Sequence, residues 1–181
     1  MKTLVLLFHP DFARSKANRA LADAASRVGG VEIVEMGQLY PSHDLDIPAE
    51  VARLMTANRL VLQFPIQWYS TPPLLKLWQD TVLTRMFYVN PKEEGARLSG
   101  LPVMVAATAG NDPEAYAPSG INLFPLEELL KPLRSTANRC AFRWQPPFLV
   151  YRANKSPPSE LTGAGQRYAA RLRDLGKPLA A

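Results

Sequence analysis

Residues 9–18 place a histidine, a hydroxyl, an amide and basic side chains immediately before a segment of helical period. A helix N-terminus presents free N–H groups and a partial positive charge, which together bind phosphate. Ser15 and Asn18 could add a hydroxyl and an amide to such a site, beside the positive charge of Arg14 or Lys16. The alternative is that Ser15 only caps its own helix, because serine is a favoured cap. The segment has no glycine-rich spacing, so it predicts neither a dinucleotide fingerprint nor a P-loop.

Residues 64–73 place two large aromatic side chains, flanked by prolines, directly after an apolar run. Trp68 and Tyr69 could form a wall for a flat, partly apolar ring, and Gln67 offers a side-chain amide beside them. Backbone N–H groups along the segment could meet the polar edge of the same ring. The alternative is that the two aromatic side chains only pack a helix against a sheet.

Residues 108–116 form the third segment with chemical potential. Gly110 permits a close approach of backbone to a ligand. The Tyr116 hydroxyl and nearby N–H groups could stabilise negative charge on a ring edge, as preorganised donors do in other sites. The alternative is an ordinary surface loop with a turn at residues 111–113.

Short apolar runs alternate with segments of helical period along the chain. The runs predict strands at residues 4–8, 31–34, 60–64, 103–107 and 140–144, and the periodic segments predict helices at 17–28, 49–57, 72–84, from 126, and at 159–175. This alternation predicts an α/β, flavodoxin-like fold: a five-stranded parallel sheet of order 2-1-3-4-5 with helices on both faces. Ligands of such sheets bind outside the carboxyl ends of the strands. The three segments follow strands 1, 3 and 4, so we expect them to meet there.

The bulk composition predicts one soluble, cytoplasmic domain spanning residues 1–181. The apolar run near the start is shorter than a membrane span and lacks the features of a signal peptide. The net charge of +5 is scattered, which argues against nucleic acid and suits an anionic cofactor or membrane surface. The single cysteine, Cys140, excludes an internal disulfide and a cysteine-based metal site, and we expect it to be buried. His43 lies in a polar loop and is predicted to be exposed.

Residues 64–83, FPIQWYSTPPLLKLWQDTVL, closely resemble the signature of the flavodoxin-like NAD(P)H:quinone oxidoreductase family. The segments after strands 1 and 4 match the same family at His9, Ser15 and Asn18 and at Thr108, Gly110 and Tyr116. The resemblance covers about residues 2–175. Residues 38–47 and 144–148 are most similar to one branch, the ancillary proteins of glutathione-regulated potassium-efflux systems.

The resemblance implies a non-covalently bound FMN, with FAD possible, and NAD(P)H as the electron donor. It assigns the phosphate side of the flavin to His9, Ser15, Ala17 and Asn18. The ring is assigned to Pro65, Ile66, Gln67, Trp68 and Tyr69. The other edge of the ring is assigned to Thr108, Gly110, Asn111 and Tyr116. Tyr116 and Gln67 are the implied catalytic residues, and Tyr116 would steady the reduced flavin. Some family members have a histidine six residues after this tyrosine. This chain has Asn122 there, so we expect no imidazole relay.

The activity implied by the resemblance is two-electron reduction of a quinone by hydride transfer through the flavin. The family is usually a homodimer with the active site at the subunit boundary, and Leu75, Trp78 and nearby residues are candidates for that interface. The choice between NADH and NADPH stays open at this point. So does the acceptor, because quinones, azo dyes and nitro compounds suit the same kind of cavity.

Two other functions are compatible with a flavin site. The branch resemblance and the positive charge also predict a flavin-binding regulatory subunit of a potassium-efflux transporter, peripheral at the inner face of the cell membrane. A pure electron carrier like flavodoxin is disfavoured, because Trp68, Tyr69 and Tyr116 predict an enclosed cavity rather than an exposed flavin edge.

Overall fold

The computed structural model describes residues 1–177, which form a parallel sheet flanked by helices. The strands are β1 (Thr3–Leu7), β2 (Val31–Glu35), β3 (Arg59–Pro65), β4 (Pro102–Thr108), β5 (Arg143–Trp144) and β6 (Phe148–Val150). The order β2-β1-β3-β4-β5 confirms the predicted order 2-1-3-4-5, and β6 also pairs with β4. The predicted flavodoxin-like α/β fold is therefore confirmed.

Two short strands lie beside β4 at the edge of the sheet, where the sequence predicted one strand at residues 140–144. Arg143–Trp144 pairs with the start of β4, and Phe148–Val150 pairs separately with its end. Pro146 and Pro147 lie between the two strands, and proline has no N–H to give to a ladder. The interruption lets the chain continue as β6, so the residues after β6 reach the carboxyl edge of the sheet.

Seven α-helices are present in residues 1–177. They are α1 (Ala17–Ala25), α2 (Met36–Leu39), α3 (Ile47–Met55), α4 (Pro73–Trp78), α5 (Leu126–Leu129), α6 (Lys131–Arg139) and α7 (Pro158–Asp174). The helix predicted to end at residue 84 continues to Val89 through two π-helical stretches, Gln79–Leu83 and Arg85–Val89. Val82 and Met86 are fully buried, so the apolar face of this helix extends past its predicted end.

The core has two halves because side chains alternate along the strands. Leu4 and Leu6 of β1 belong to the half that packs under α3, α4 and α6, whereas Val5 belongs to the half under α1 and α7. Trp78 is fully buried in the first half and Tyr168 in the second.

Three predictions about exposure have different outcomes. Cys140 is 4% exposed and His43 is exposed, and both results confirm the predictions. Leu75 and Trp78 are both 0% exposed, so their proposed place in a subunit interface is wrong. Their side chains fill the core of their own chain and leave no surface for a partner.

Two features that would change the class of protein are absent from residues 1–177. None of the helices within residues 1–177 is long and apolar enough to cross a bilayer. No group of three or more His, Cys, Asp or Glu side chains in the same range is arranged to hold a metal ion.

Candidate functional site

A cavity of about 350 Å³ opens at the carboxyl edge of the sheet, where the segments after β1, β3, β4 and β6 meet. It is lined by His9, Asp11, Arg14, Ser15, Asn18, Pro65, Ile66, Gln67, Thr108, Gly110, Ala153 and Asn154. This is the position predicted from the switch between strands 1 and 3, where the chain leaves the sheet in opposite directions.

The first wall of the cavity is the start of α1. Lys16 is the N-cap of this helix and its side chain makes no capping hydrogen bond. Ser15 lies one residue earlier, in extended conformation, so it is not the simple helix cap that the sequence left as an alternative. It is 9% exposed and lines the cavity, which leaves its hydroxyl beside the free N–H groups of the first helical turn.

His9 and Asp11 form a second polar group at this wall. The Asp11 backbone N–H donates to His9 Nδ1 at 3.0 Å, so His9 is a neutral imidazole with its hydrogen on Nε2. Burial lowers the pKa of His9 despite the opposing charge of Asp11, and this favours the same neutral form. A hydrogen bond from Arg14 lowers the pKa of the exposed Asp11 carboxyl. The wall therefore carries one neutral donor and one paired cation.

A buried chain of hydrogen bonds connects the first wall to the other two. Asn18 Nδ2 donates to Thr108 Oγ1 at 2.9 Å, although the two residues are 90 positions apart. Gln63 of β3 donates from Nε2 to the backbone oxygen and to Oδ1 of Asn18, and Tyr168 of α7 donates to Gln63 Oε1. All four side chains are at most 2% exposed. The side-chain amide of Asn18 therefore forms most of its hydrogen bonds within the protein and has little capacity left for a ligand.

The second wall ends in a tight turn at residues 67–70. Gln67 and Ser70 exchange two backbone hydrogen bonds of 3.0 Å, and the residues between them, Trp68 and Tyr69, have φ values of 45° and 64°. Such angles are rare for aromatic residues, and local strain of this kind is found at functional sites. The turn holds Trp68 outward with 92% of its surface exposed, so neither aromatic side chain lines the cavity within one chain.

The third wall is built around Thr108 and Gly110. The Ile66 N–H donates to the Thr108 backbone oxygen at 2.8 Å, which holds the second and third walls together. A Cβ added to Gly110 would meet no atom within 4 Å, so the backbone faces open space at this point. Room for a ligand against bare backbone is what the sequence predicts from this glycine.

Tyr116 lies behind the third wall rather than in it. It is 7% exposed, its ring centroid is 5.6 Å from that of Tyr151, and it does not line the cavity. Burial, and then the nearby Tyr69, raise the pKa of Tyr116, so its hydroxyl stays protonated at neutral pH. The hydroxyl of this neighbouring Tyr69 donates to Asn122 Oδ1 at 3.1 Å. Asn122 Nδ2 is buried and has no hydrogen-bond partner within residues 1–177.

The structure gathers eight of the thirteen predicted cofactor-binding residues around the cavity: His9, Ser15, Asn18, Pro65, Ile66, Gln67, Thr108 and Gly110. The other five do not line it: Ala17, Trp68, Tyr69, Asn111 and Tyr116. Ala17 is the first residue of α1, and its methyl group is buried in the core. Asn111 uses its backbone oxygen to accept from the Arg152 N–H at 3.1 Å.

The sequence prediction missed the lining contributed by Ala153 and Asn154. Their segment is joined to the third wall by two hydrogen bonds, from the Ala109 N–H to Val150 and from the Ala153 N–H to Ala109. It was missed because β6 was not predicted. The apolar run at residues 148–150, directly after two prolines, is the signal that could have found it.

The residues around the cavity fit a flavin nucleotide in their chemistry. The free N–H groups of α1 and the Ser15 hydroxyl suit an anionic phosphate, and the bare backbone at Gly110 leaves room for a flat ring. The His9 Nε2–H adds a neutral donor beside the phosphate position, and the Gln67 amide suits the carbonyls and nitrogens of such a ring.

Comparison with known proteins agrees with this chemistry. A family model described as flavodoxin-like fold matches residues 1–174. The chain belongs to this family. Within the flavodoxin-like family, it is 36% identical to the glutathione-regulated potassium-efflux system ancillary protein KefF of Klebsiella pneumoniae, over 94% of each chain. It is 33% identical to an uncharacterized NAD(P)H oxidoreductase, YdeQ, of Bacillus subtilis, over 97% of this chain and 88% of that protein.

A solved structure of a flavodoxin-like relative carries a ligand. General stress protein 14 of Treponema denticola, in complex with FMN, superposes with a TM-score of 0.87 at 30% identity, covering 96% of this chain and 98% of that one. The resemblance predicted from residues 64–83, to the oxidoreductase family and its potassium-efflux branch, is confirmed by these relatives.

Proposed function

We propose that this flavodoxin-like protein is a flavin-dependent NAD(P)H:quinone oxidoreductase that performs two-electron reduction. The observation that carries the proposal is the cavity at the carboxyl edge of the sheet, with a helix N-terminus on one side and bare backbone on the other. The FMN in the relative from Treponema denticola and the NAD(P)H oxidoreductase name of the Bacillus subtilis relative support the cofactor and the donor.

In this proposal the α1 side of the cavity holds the phosphate of FMN. The N–H groups of the first helical turn and the Ser15 hydroxyl donate to phosphate oxygens, and the partial positive charge of the helix adds to their effect. The neutral His9 contributes Nε2–H without adding charge. Arg14 is 88% exposed and already paired with Asp11, so it acts as a mobile counterion at the entrance.

The β3 and β4 sides of the cavity hold the ring system. A bound flavin supplies the two-electron chemistry, taking hydride from NAD(P)H and passing electrons to a quinone. Gln67 presents its amide to the ring from the turn at residues 67–70. Tyr116 keeps its proton because of burial, and its hydroxyl would steady negative charge on the ring.

The proposed active form is a homodimer. Trp68, Ile121, Leu123 and Phe124 are large apolar side chains that are more than half exposed. They lie in the loops after β3 and β4, so a second copy covering them would close the entrance over a substrate ring. Exposed apolar patches of this kind mark interaction sites. Sedimentation of wild type as a dimer, and of Phe124→Asp as a monomer, is the expected result, and a monomeric wild type would refute the proposal.

Absorbance spectroscopy tests the proposed function directly. FMN or FAD is added to the purified protein, free flavin is removed, and NADH or NADPH is then added without oxygen. We expect retained flavin bands that bleach with a nicotinamide and return when a quinone is added. Retained bands that never bleach would refute the oxidoreductase activity while leaving the flavin site intact.

The relative KefF favours a second candidate, a flavin-binding ancillary subunit of a potassium-efflux transporter. The net charge of +5 suits attachment to an anionic cytoplasmic membrane surface. Both functions are compatible, because one surface can dock while the cavity reacts. Co-purification of the tagged protein with a potassium-efflux protein from the membrane fraction of its own cells is expected, and its complete absence there would count against this candidate.

A further inference from the structure

The buried chain Tyr168–Gln63–Asn18–Thr108 has only one consistent arrangement of hydrogens. Its direction is set by the backbone oxygen of Asn18, which can only accept a hydrogen bond. Gln63 Nε2 lies 3.0 Å from that oxygen, so the NH2 group of Gln63 must face Asn18. The reverse orientation would bring two oxygens together in a site at most 1% exposed, where an unpaired acceptor is costly.

The orientation of Gln63 determines the orientation of both neighbours. Its Oε1 faces the Tyr168 hydroxyl at 3.2 Å, so Tyr168 must donate, and burial raises the pKa of this tyrosine and keeps its proton in place. Its Nε2 also faces the Asn18 side chain at 3.3 Å, so the atom there must be Oδ1. The NH2 group of Asn18 is therefore turned toward Thr108.

The chain ends at the Thr108 hydroxyl. Asn18 Nδ2 donates to Thr108 Oγ1 at 2.9 Å, so this oxygen is the acceptor and its own hydrogen must go elsewhere. Among residues 1–177 the Thr108 hydroxyl donates no hydrogen bond to another protein group, and Thr108 lines the cavity. A network that served only to join α1, β3 and α7 would have no reason to stop at a donor facing a cavity.

We infer that Gln63 and Tyr168 are positioning residues that fix the Thr108 hydroxyl as a hydrogen-bond donor to an acceptor atom of the bound flavin nucleotide. The inference rests on the proposed flavin site and adds two residues to it that do not touch the cavity. The ligand atom must be one without a hydrogen of its own, such as a phosphate oxygen, a ring carbonyl or an unprotonated ring nitrogen.

Flavin binding by minimal variants tests the inference. Tyr168→Phe removes one hydroxyl and retains the ring, whose centroid lies 5.1 Å from that of Phe148. Thr108→Val removes the donor itself, and Thr108→Ser restores it. The matched control is Tyr40→Phe, which removes another buried hydroxyl, on the opposite side of the sheet and away from the cavity.

Fluorescence titration of the apoproteins with FMN is the first measurement, and urea unfolding of the same apoproteins is the second. We expect the Kd for FMN to rise about tenfold in Thr108→Val and about threefold in Tyr168→Phe, and to return to within about twofold of wild type in Thr108→Ser. The double variant should match Thr108→Val alone, because Tyr168 acts through Thr108. Tyr40→Phe should lower the free energy of unfolding while its Kd stays within about twofold of wild type.

Each outcome separates the inference from the proposed function. If wild type binds no flavin, the proposed function fails. If wild type binds FMN and Tyr168→Phe binds it equally well, or if Tyr40→Phe weakens binding as much as Tyr168→Phe, the inference is overturned while the flavin site stands. A parallel titration with riboflavin identifies the acceptor: weakening for FMN alone assigns the phosphate, and equal weakening for both assigns the ring or the ribityl chain.

Discussion

The two sides of the sheet each bury a polar cluster, and the clusters end in opposite ways. Under α3 and α4, the Glu50 carboxylate is 0% exposed and accepts from Tyr40, Arg53 and Trp78 at 2.8, 3.1 and 3.2 Å. Under α1 and α7, the cluster of Asn18, Gln63, Thr108 and Tyr168 is neutral and ends at a hydroxyl facing the cavity. The first cluster is closed within the chain, and the second is open to a ligand.

The difference shows how burial and charge separate structural from functional polar groups. A buried carboxylate needs several donors, and once it has them nothing remains for a ligand. Burial and the hydrogen bond to Glu50 raise the pKa of Tyr40 to about 12, so that donor is permanent at neutral pH. A neutral network has no charge to satisfy. Its hydrogen bonds can therefore fix the last side chain, here Thr108, as a donor toward the cavity.

The largest expected effect is on the closed cluster. Glu50→Ala leaves the buried Tyr40 hydroxyl and Trp78 N–H without acceptors, and we expect it to lower the free energy of unfolding by about 3 kcal/mol or more. Urea unfolding measures the loss, with Glu128→Ala as the control because that carboxylate is in an exposed pair with Lys131. A loss below about 1 kcal/mol would mean that the cluster is not the buried unit described. The Kd of the folded fraction for FMN should stay unchanged.

A smaller effect is expected where α1 and α7 cross. A Cβ on Gly165 would lie 2.8 Å from the Ala20 oxygen, whereas one on Gly163 would meet only the end of the Arg167 side chain at 3.4 Å. We expect Gly165→Ala to destabilise the protein by about 1–3 kcal/mol and to raise the Kd for FMN, because the helices that carry Asn18 and Tyr168 must separate. Gly163→Ala, on the same helix, should stabilise by up to about 1 kcal/mol. Equal effects of the two substitutions would contradict the close crossing.

On the open side, His9 should make the free energy of unfolding depend on pH. Burial lowers the pKa of His9 from 6.5, so we expect its imidazole to titrate below that value. The folded state then binds fewer protons than the unfolded chain, so stability is lost as the pH falls below 6.5. NMR titration of His43→Gln, which leaves one histidine, measures the midpoint. In Asp11→Asn the midpoint should fall further, since the Asp11 charge raises it, and a midpoint above 6.5 would be the opposite of this expectation.

The smallest expected effect concerns Cys140, on the closed side of the sheet, which we expect to be unreactive toward thiol reagents. Burial raises the pKa of the Cys140 thiol to about 11, so very little thiolate is present near neutral pH. We expect no modification by a thiol reagent in the folded protein and complete modification in urea. Ser135→Cys in a Cys140→Ala background gives an exposed thiol on α6, the helix that ends just before residue 140, and should react at once. Rapid reaction of the native cysteine would indicate local opening of that half of the core.

Several features could be predicted because they depend on neighbouring residues. The apolar runs of β1, β3 and β4, the polar segments after them and the order of the strands follow from periodicity and from the handedness of the crossovers. The meeting of His9, Gln67 and Thr108 at one edge is a consequence of that order. The second strand at the sheet edge could not be predicted in this way, because two prolines divide a run too short to show a period.

By itself, the sequence determined which segments could bind a ligand, the edge of the sheet where they meet, and the family to which the chain belongs. The tertiary structure alone decided that Asn18 and Thr108, 90 positions apart, share a hydrogen bond, that Trp68 turns outward, and that Leu75 and Trp78 belong to the core. The physical reason is that strand period and helix caps are local, whereas the partner of a side chain depends on register and packing between distant elements.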